Sequence, residues 1–307
     1  MTQSSSLGLG PPEAGGRLSP ALGAGLRRKE RAENFPVALR VLPRRFRVHL
    51  RALYDVARVI DDLGDDAPGN RTALLTSFAA DLARIWRDRP PTDPVLRQLA
   101  GTVHACDLDQ EPFDRLIAAN LQDQVVTRYQ TYADLRHYCT LSADPVGRVV
   151  LKIFGSRTPQ TVELSDRVCT ALQLVEHWQD VAEDRRAGRI YVPREDLEAY
   201  GVAENDLDRP AATPAVRRLM AFQTKRAATL LDSGAPLVGL LHGWARVAVA
   251  GYVAGGRATI DAIRRAGYDV LSSTPRPRRR DVVSHLVGLL PAGGRREAAP
   301  PRAGRAS

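Results

Sequence analysis

The sequence predicts an all-α protein, and three observations lead to that fold class. Apolar side chains recur every three to four residues through most of the stretch 43–270, which is the spacing of helices with one buried face. No segment has the sustained apolar–polar alternation of a half-buried strand. Gly, Pro and Asn stand between the periodic segments, where helices stop and start. A bundle of helices is the architecture that such a pattern favours.

The first half of the chain supplies four predicted helices. The segment 43–65 is strongly amphipathic, and the sequence DDAPGN after it predicts its end. The same periodicity predicts helices over 71–88, 94–105 and 112–128. These segments together provide enough apolar faces for one side of a bundle.

The second half begins with a helix from Tyr132 that we expect to kink or break at Pro145 and Gly147. A central helix is predicted over 160–187. The sequence GRIYVP after it is short, aromatic and extended, and REDLEAYGV is typical of a single helical turn closed by Gly201.

Two more helices complete the prediction. Thr213 is expected to cap an amphipathic helix that stops at Gly234. A last long helix is predicted over 236–270. No internal repeat, glycine-rich nucleotide fingerprint or P-loop is found, so one all-α domain of about 240 residues fits best.

Charge divides the chain into three parts. The formal net charge is +9, of which residues 1–29 contribute +3 and residues 272–307 contribute +6. The body, 30–271, is therefore neutral, which disfavours a nucleic-acid partner. We expect 1–29 to be a disordered leader and 272–307 to be a basic Pro/Arg/Gly-rich tail. The tail is either solvated or makes a peripheral contact with anionic lipid at the inner face of the membrane.

The cysteines and the apolar runs suggest a compartment. Three cysteines, Cys106, Cys139 and Cys169, lack metal-type spacing and suit a reducing cytosol. No apolar run approaches the ~20 residues that a membrane span needs, and no secretory signal begins the sequence. We expect a cytoplasmic protein.

Two acidic clusters carry the chemical prediction. Asp61 and Asp65 stand four residues apart in VIDDLGDD, and Asp180 and Asp184 stand four apart in the central helix. Residues at this spacing share a helix face. Four carboxylates around one cavity would repel each other without a cation, and hard oxygen ligands suit Mg²⁺, which also binds substrate phosphates. The sequence therefore predicts a Mg²⁺-diphosphate site between two helices.

Each of these residues also has a structural explanation. Acidic pairs are common on solvated helix faces. The apolar sequence before both pairs nevertheless favours the interpretation as a metal site. Tyr54 and Tyr138 could be core aromatics, and His177 a buried or surface histidine with no catalytic role. Arg58 could be a helix ion pair with Asp62, or it could hold a phosphate.

Five stretches resemble the squalene/phytoene synthase family. They are ENFPVALRVLP, YDVARVIDDLGD, YCTLSADPVG, LQLVEHWQDVAEDRRAGRIYVP and RATIDAI, and they occur in the family's order over about 31–271. Within the family, ENFPV, SADPVG and EHWQD are most similar to the hydroxysqualene-forming branch of hopanoid biosynthesis. The resemblance implies an isoprenoid synthase-type helical bundle with a deep central cavity.

The resemblance also implies roles for individual residues. Its metal ligands would be Asp61, Asp65, Asp180 and Asp184, binding Mg²⁺. Its catalytic residues would be Tyr54, Arg58 and Tyr138, and its substrate-binding residues would be Phe35, Arg58, Asp62, Glu176 and Arg189. The implied reaction converts presqualene diphosphate and water to hydroxysqualene and diphosphate, without NADPH. The partners would be a presqualene diphosphate synthase and a hydroxysqualene-reducing enzyme.

Three departures from the family pattern bear on this reaction. Ala32 and Gly256 replace hydroxyl-bearing residues, and Glu176 replaces the asparagine that usually begins the second metal motif. We expect the first two changes to open space for a large preformed substrate and water. One alternative is condensation of two farnesyl diphosphates to presqualene diphosphate, squalene or a phytoene-like product. A further alternative, of another class, is a non-catalytic helical partner of such a synthase.

Overall fold

A computed structural model describes residues 42–290, which all belong to one compact unit of the chain. No strand forms among them, so the all-α fold class is confirmed. The leader, Ala32, Phe35 and the last part of the tail lie outside the described residues. The helices are α1 (Arg44–Asp65), α2 (Arg71–Leu82), α3 (Pro94–Cys106), α4 (Glu111–Gln122), α5 (Tyr132–Ser142), α6 (Asp144–Ile153), α7 (Pro159–Gln179), α8 (Val181–Arg186), α9 (Arg194–Ala199), α10 (Pro214–Gly234), α11 (Leu237–Leu240), α12 (Gly243–Arg265) and α13 (Arg279–Leu289).

The first half of the fold is built on α1. Its buried stripe includes Leu50, Leu53, Val56 and Ile60, which step by three and four as the sequence predicts. That stripe packs against α2, α3, α4 and α6. The first acidic cluster lies in the last turns of α1. The packing of this stripe therefore fixes the orientation of the helix that carries these carboxylates.

The second half is built on α7, which packs against α5, α6, α10 and α12. A capping box at Thr158 starts it. Gly147 on α6 allows close packing, because a Cβ there would lie 2.4 Å from the Ser165 hydroxyl oxygen and 2.5 Å from the sulfur of Cys169. The small residues predicted at the break after α5 therefore allow helix approach.

Four predicted helices end earlier or break. Over the predicted segment 112–128, helix α4 ends at Gln122. The residues that follow leave the helix, because they pair with the extended stretch near Ile190. The Ile190 N–H donates a hydrogen bond of 3.0 Å to the Thr127 carbonyl. Tertiary pairing overrides local helix propensity in this case. Over the predicted segment 71–88, the structure forms helix α2, which ends at Leu82, and then a short 3₁₀ turn, Ile85–Arg87.

The central helix also breaks, at Asp180, which leaves helical geometry between α7 and α8. The Asp184 N–H still donates to the Asp180 carbonyl at 2.8 Å, so the two acids remain one turn apart. The last predicted helix breaks at Leu241 and His242, both extended, before α12 begins at Gly243.

The basic segment after 271 is packed where the structure describes it. Helix α13 lies along α12, with an ion pair of 2.6 Å from Arg265 to Asp281 and a hydrogen bond of 2.8 Å between His285 Nε2 and an Asp261 carboxylate oxygen. The boundary at 271 stays a prediction. Within residues 42–290, no helix is both long and apolar enough to cross a bilayer.

Candidate active site

The first acidic cluster sits at the end of α1, with its members in different surroundings. Asp62 is buried and accepts a hydrogen bond of 2.7 Å from Arg58. The neighbouring Asp61 accepts a hydrogen bond from the Asn120 amide of α4 at 3.2 Å. Burial raises the pKa of Asp61 to about 7, although its side chain remains accessible to solvent. A carboxylate with both properties lies in a recess rather than on a convex surface.

The second acidic cluster surrounds the break between α7 and α8. Burial, followed by repulsion from Asp180, raises the pKa of Asp184 to about 8. Burial and the charge of Glu183 raise the pKa of Asp180 to about 6. Glu176, one turn before Asp180, adds to the repulsion at Asp184. The site therefore concentrates more negative charge than its arginines neutralise.

Arg189 joins the two clusters. Its guanidinium donates a hydrogen bond of 2.7 Å to Asp65. The charge of the same guanidinium lowers the pKa of both Asp184 and Asp123, opposing the rise that burial causes. Acids from α1, from the end of α4 and from α8 therefore surround one cation, as the sequence predicts for the two clusters.

Asp123 is a further candidate site residue, which the sequence pattern does not mark. It follows α4 and accepts a hydrogen bond of 2.6 Å from the Tyr138 hydroxyl. Burial raises its pKa to about 6. Its second oxygen, Oδ1, is buried and has no hydrogen-bond partner among the described residues. The sequence predicts a helix through residue 128, and an acid at position 123 of such a helix is expected on its solvent-exposed face.

An aromatic cluster forms one wall beside Asp123. The rings of Tyr129, Tyr138 and Tyr191 lie 5.6–5.8 Å apart in pairs. His177 stacks on Tyr191 with ring centroids 3.7 Å apart. All four rings are buried, so they give the acidic recess an apolar side.

His177 is neutral at physiological pH. Burial, and then the charge of Arg189, lower its pKa to about 3. Its Nδ1 lies 4.0 Å from an Asp184 oxygen, which is too long for a hydrogen bond, and its Nε2 pairs with Gln173 at 3.2 Å. A neutral imidazole so placed positions its neighbours and does not form a salt bridge.

The remaining predicted residues are placed as follows. Tyr54 lies one turn before Arg58 on α1 and is half-buried. Glu176 is exposed beside the second cluster. The expectation that Gly256 opens space is wrong: a Cβ there would lie 2.5 Å from the Cδ2 of Leu172 and 3.0 Å from that of Leu231. Those leucines fill the volume, and the glycine serves helix packing.

The basic segment contributes to the site. The Gln179 side chain donates a hydrogen bond to the Pro275 carbonyl, which holds the segment against the end of α7. The charge of Arg276 lowers the pKa of Asp180, opposing burial. Arg276, Arg278, Arg279 and Arg280 are exposed, so a solvated basic tail stays a prediction for these side chains, whereas the backbone at Pro275 is packed against the end of α7.

The chemistry of the donor set fits a hard divalent cation, although the side chains do not form a complete cage. In the part of the chain that the structure describes, no three His, Cys, Asp or Glu side chains converge on one metal position. Mg²⁺ needs only one or two carboxylates, because waters and substrate phosphates complete its shell. The raised pKa of Asp184 and the unpaired Oδ1 of Asp123 both mark uncompensated sites for such a cation.

A family model described as squalene/phytoene synthase matches residues 28–282. The hydroxysqualene synthase of Rhodopseudomonas palustris is 33% identical over 215 residues, covering 67% of this chain and 70% of that protein. The presqualene diphosphate synthase of the same organism is 33% identical over 197 residues, covering 63% and 70%. The crystal structure of squalene synthase HpnC from Alicyclobacillus acidocaldarius is 42% identical with a TM-score of 0.73, covering 81% of this chain and 95% of that one.

Proposed function

The chain belongs to the squalene/phytoene synthase family of isoprenoid synthases, and we propose that it converts presqualene diphosphate and water to hydroxysqualene and diphosphate. The observation that carries the proposal is the hydrogen bond between Arg189 and Asp65, which brings the two acidic clusters to one recess. The similarity to hydroxysqualene synthases supports the choice of reaction within the family.

The acidic recess is suited to the leaving group. Asp61, Asp65, Asp180 and Asp184 would hold Mg²⁺. When bound, this cation neutralises charge on the departing diphosphate. Arg189 would exchange its contact with Asp65 for diphosphate oxygens, for which its planar fork is well shaped. Arg58 lies on the same helix and lowers the pKa of Asp61 by its charge, so it would add positive potential nearby.

The aromatic wall is suited to the carbon skeleton. Heterolysis of the C–O bond leaves the electron pair on diphosphate and a cyclopropylcarbinyl cation on the C30 chain. The buried rings of Tyr138 and Tyr191 would shield this cation from early capture while it rearranges. Water then forms the new C–O bond and loses one proton, which gives an alcohol. No electron is gained or lost, so no NADPH is required.

Product analysis tests the proposal. The purified full-length chain with Mg²⁺ and no reductant should convert presqualene diphosphate to an alcohol, measured by gas chromatography and mass spectrometry. The Asp184→Asn variant should lose this activity by at least about 100-fold. Asp232→Asn is the matched control, because Asp232 is an exposed partner of Arg257 outside the site. Absence of an alcohol product from the wild-type chain would refute the reaction.

Condensation of two farnesyl diphosphates is the second candidate. It is favoured by the similarity to a presqualene diphosphate synthase, which equals that to the hydroxysqualene synthase in percentage identity. Release of diphosphate from farnesyl diphosphate alone would select this reaction. A non-catalytic role would instead predict that Asp61→Asn and Asp180→Asn variants keep the protein's cellular function, whereas a synthase loses it.

We also propose that the arginine-rich segment contacts anionic lipid. Four arginines lie just before and at the start of helix α13, which exposes Val283 and Val287, one turn apart. A C30 product is too apolar to diffuse freely in water, so contact with a bilayer would help its release. Sedimentation with phosphatidylglycerol vesicles tests this, and binding that is equal for neutral vesicles would contradict it.

A further inference from the structure

A cavity lies outside the acidic recess. Its volume is about 550 Å³, within the range of small-molecule sites. Arg218, Phe222 and Lys225 line one side from a single face of α10. Arg264 and Tyr268, at and just beyond the end of α12, line the other side, and Tyr200 completes the lining. None of the acidic residues assigned to catalysis lines it.

The charge of this cavity is one-sided. Arg218 and Lys225 are exposed and have no ion-pair partner in residues 42–290. Arg264 forms an ion pair of 3.3 Å with Asp261, and its side chain is about half exposed. No described residue that lines the cavity carries a carboxylate. Three cations facing one cavity would repel each other, and an anionic ligand would remove that repulsion.

The aromatic walls are held in place from behind. Tyr200 and Phe222 have ring centroids 5.3 Å apart. Arg226 lies over the Phe222 ring at 4.4 Å and forms an ion pair of 2.8 Å with the buried Asp196. The network fixes the ring of Phe222 before any ligand arrives, which lowers the ordering that binding would require.

The opposite wall is held by strained backbone. Tyr268 has φ of +61°, a left-handed conformation that is unfavourable for a bulky residue. The next residue, Asp269, is buried and accepts from Arg217 at 2.6 Å and from the Ala212 N–H at 3.0 Å. These contacts maintain the turn. Strain retained at the edge of a cavity is typical of a binding site.

We propose that this cavity binds a nucleotide: a small molecule with a planar aromatic base and a phosphate or diphosphate. The phosphate oxygens would contact Arg218, Lys225 and Arg264, since arginine forks match phosphate geometry. The base would stack against Tyr200, Phe222 or Tyr268. Such stacking depends little on which base is present, because every base has a planar face. A simple diphosphate would use only the cations, and a prenyl diphosphate would lack the planar group.

Titration calorimetry with ADP tests the proposal on the full chain. The buffer contains EDTA, so that any metal-dependent diphosphate binding in the acidic recess is suppressed. The structure predicts one binding site per chain. The double variant Arg218→Gln/Lys225→Gln should bind ADP at least about tenfold more weakly. The matched control is Arg89→Gln/Arg97→Gln, which removes two exposed arginines elsewhere and should bind as the wild type does.

Partial ligands separate the two halves of the proposal. Adenosine and pyrophosphate should each bind more weakly than ADP, and geranyl diphosphate should not match it. No binding of ADP, or equal binding by the Arg218→Gln/Lys225→Gln variant, would overturn the site. Pyrophosphate or geranyl diphosphate as strong as ADP would overturn the nucleotide assignment. Because the variants lie outside the acidic recess, the test is independent of the proposed reaction.

Discussion

The Arg189 guanidinium donates a hydrogen bond of 2.7 Å to Asp65, a residue 124 positions earlier in the chain. One cation thereby connects the end of α1 with the loop that follows α8. Asp184 and Asp123 lie close enough for the same charge to lower their pKa values. An arginine in this position can hold the acids together without substrate and transfer to diphosphate when it binds.

The first prediction concerns Arg189 itself. Arg189→Gln should reduce kcat/KM for the diphosphate substrate by about 100- to 1,000-fold, because it removes positive charge from the leaving group. Arg189→Lys should recover part of the loss, since lysine keeps the charge but not the fork. Arg257→Gln removes an arginine that pairs with Asp232 and should leave kcat/KM unchanged. Wild-type kinetics in Arg189→Gln would contradict the assignment.

The second prediction concerns Arg276, in the segment held by Gln179. Arg276→Gln should raise KM by about tenfold, because the positive charge next to Asp180 would no longer assist diphosphate binding. Arg279→Gln, an exposed change three residues later, is the matched control. Steady-state kinetics of the two variants compares them. Equal KM values for both would mean that Arg276 has no part in the site.

The third prediction concerns the pH dependence of stability. Asp144 is buried, accepts a hydrogen bond of 2.8 Å from Thr170, and has its pKa raised by burial to about 7. The folded chain therefore retains this proton at pH values where the unfolded chain has lost it. Its contribution to the free energy of unfolding is unfavourable above pH 7 and disappears as the pH falls below about 4.

Asp144→Asn should accordingly stabilise the protein at pH 8 relative to pH 5. The amide oxygen can still accept from Thr170, so the difference isolates the charge. We expect the variant to gain about 2–3 kcal/mol relative to wild type between the two pH values, measured by urea unfolding. If the difference in free energy of unfolding between wild type and variant were the same at both pH values, the raised pKa of Asp144 would be contradicted.

The fourth prediction compares two glycines within helices. Gly256→Ala should destabilise the protein by about 1–3 kcal/mol, because its Cβ would collide with Leu172 and Leu231. Gly101→Ala, whose Cβ would meet no atom within 4 Å, should stabilise α3 by about 0.5–1 kcal/mol. Thermal unfolding measures both. If Gly256→Ala stabilised the protein as much as Gly101→Ala does, the volume beside residue 256 would be open after all.

Much of the fold could be predicted from the sequence because helical periodicity is a local signal. The ends of α1, α3 and α10 lie within a residue or two of the prediction. The early end of α4 was unpredictable, because it depends on pairing with a stretch 60 residues later. Local propensity contains no information about such a partner.

The site could be predicted in part for the same reason. Acids four residues apart are visible in a sequence, so both clusters could be proposed as metal ligands from the sequence alone. Asp123 is a single acid among polar residues, and only its contact with Tyr138 distinguishes it. Arg276 was treated as tail because its charge neighbours are arginines, whereas the structure places it beside Asp180.

The origin of the product's oxygen tests the central claim most directly. Presqualene diphosphate is incubated with the full chain and Mg²⁺ in ¹⁸O-labelled water, without reductant, and the product is measured by mass spectrometry. The proposed reaction predicts a C30 alcohol that carries one ¹⁸O atom. A hydrocarbon product or an unlabelled alcohol would contradict it.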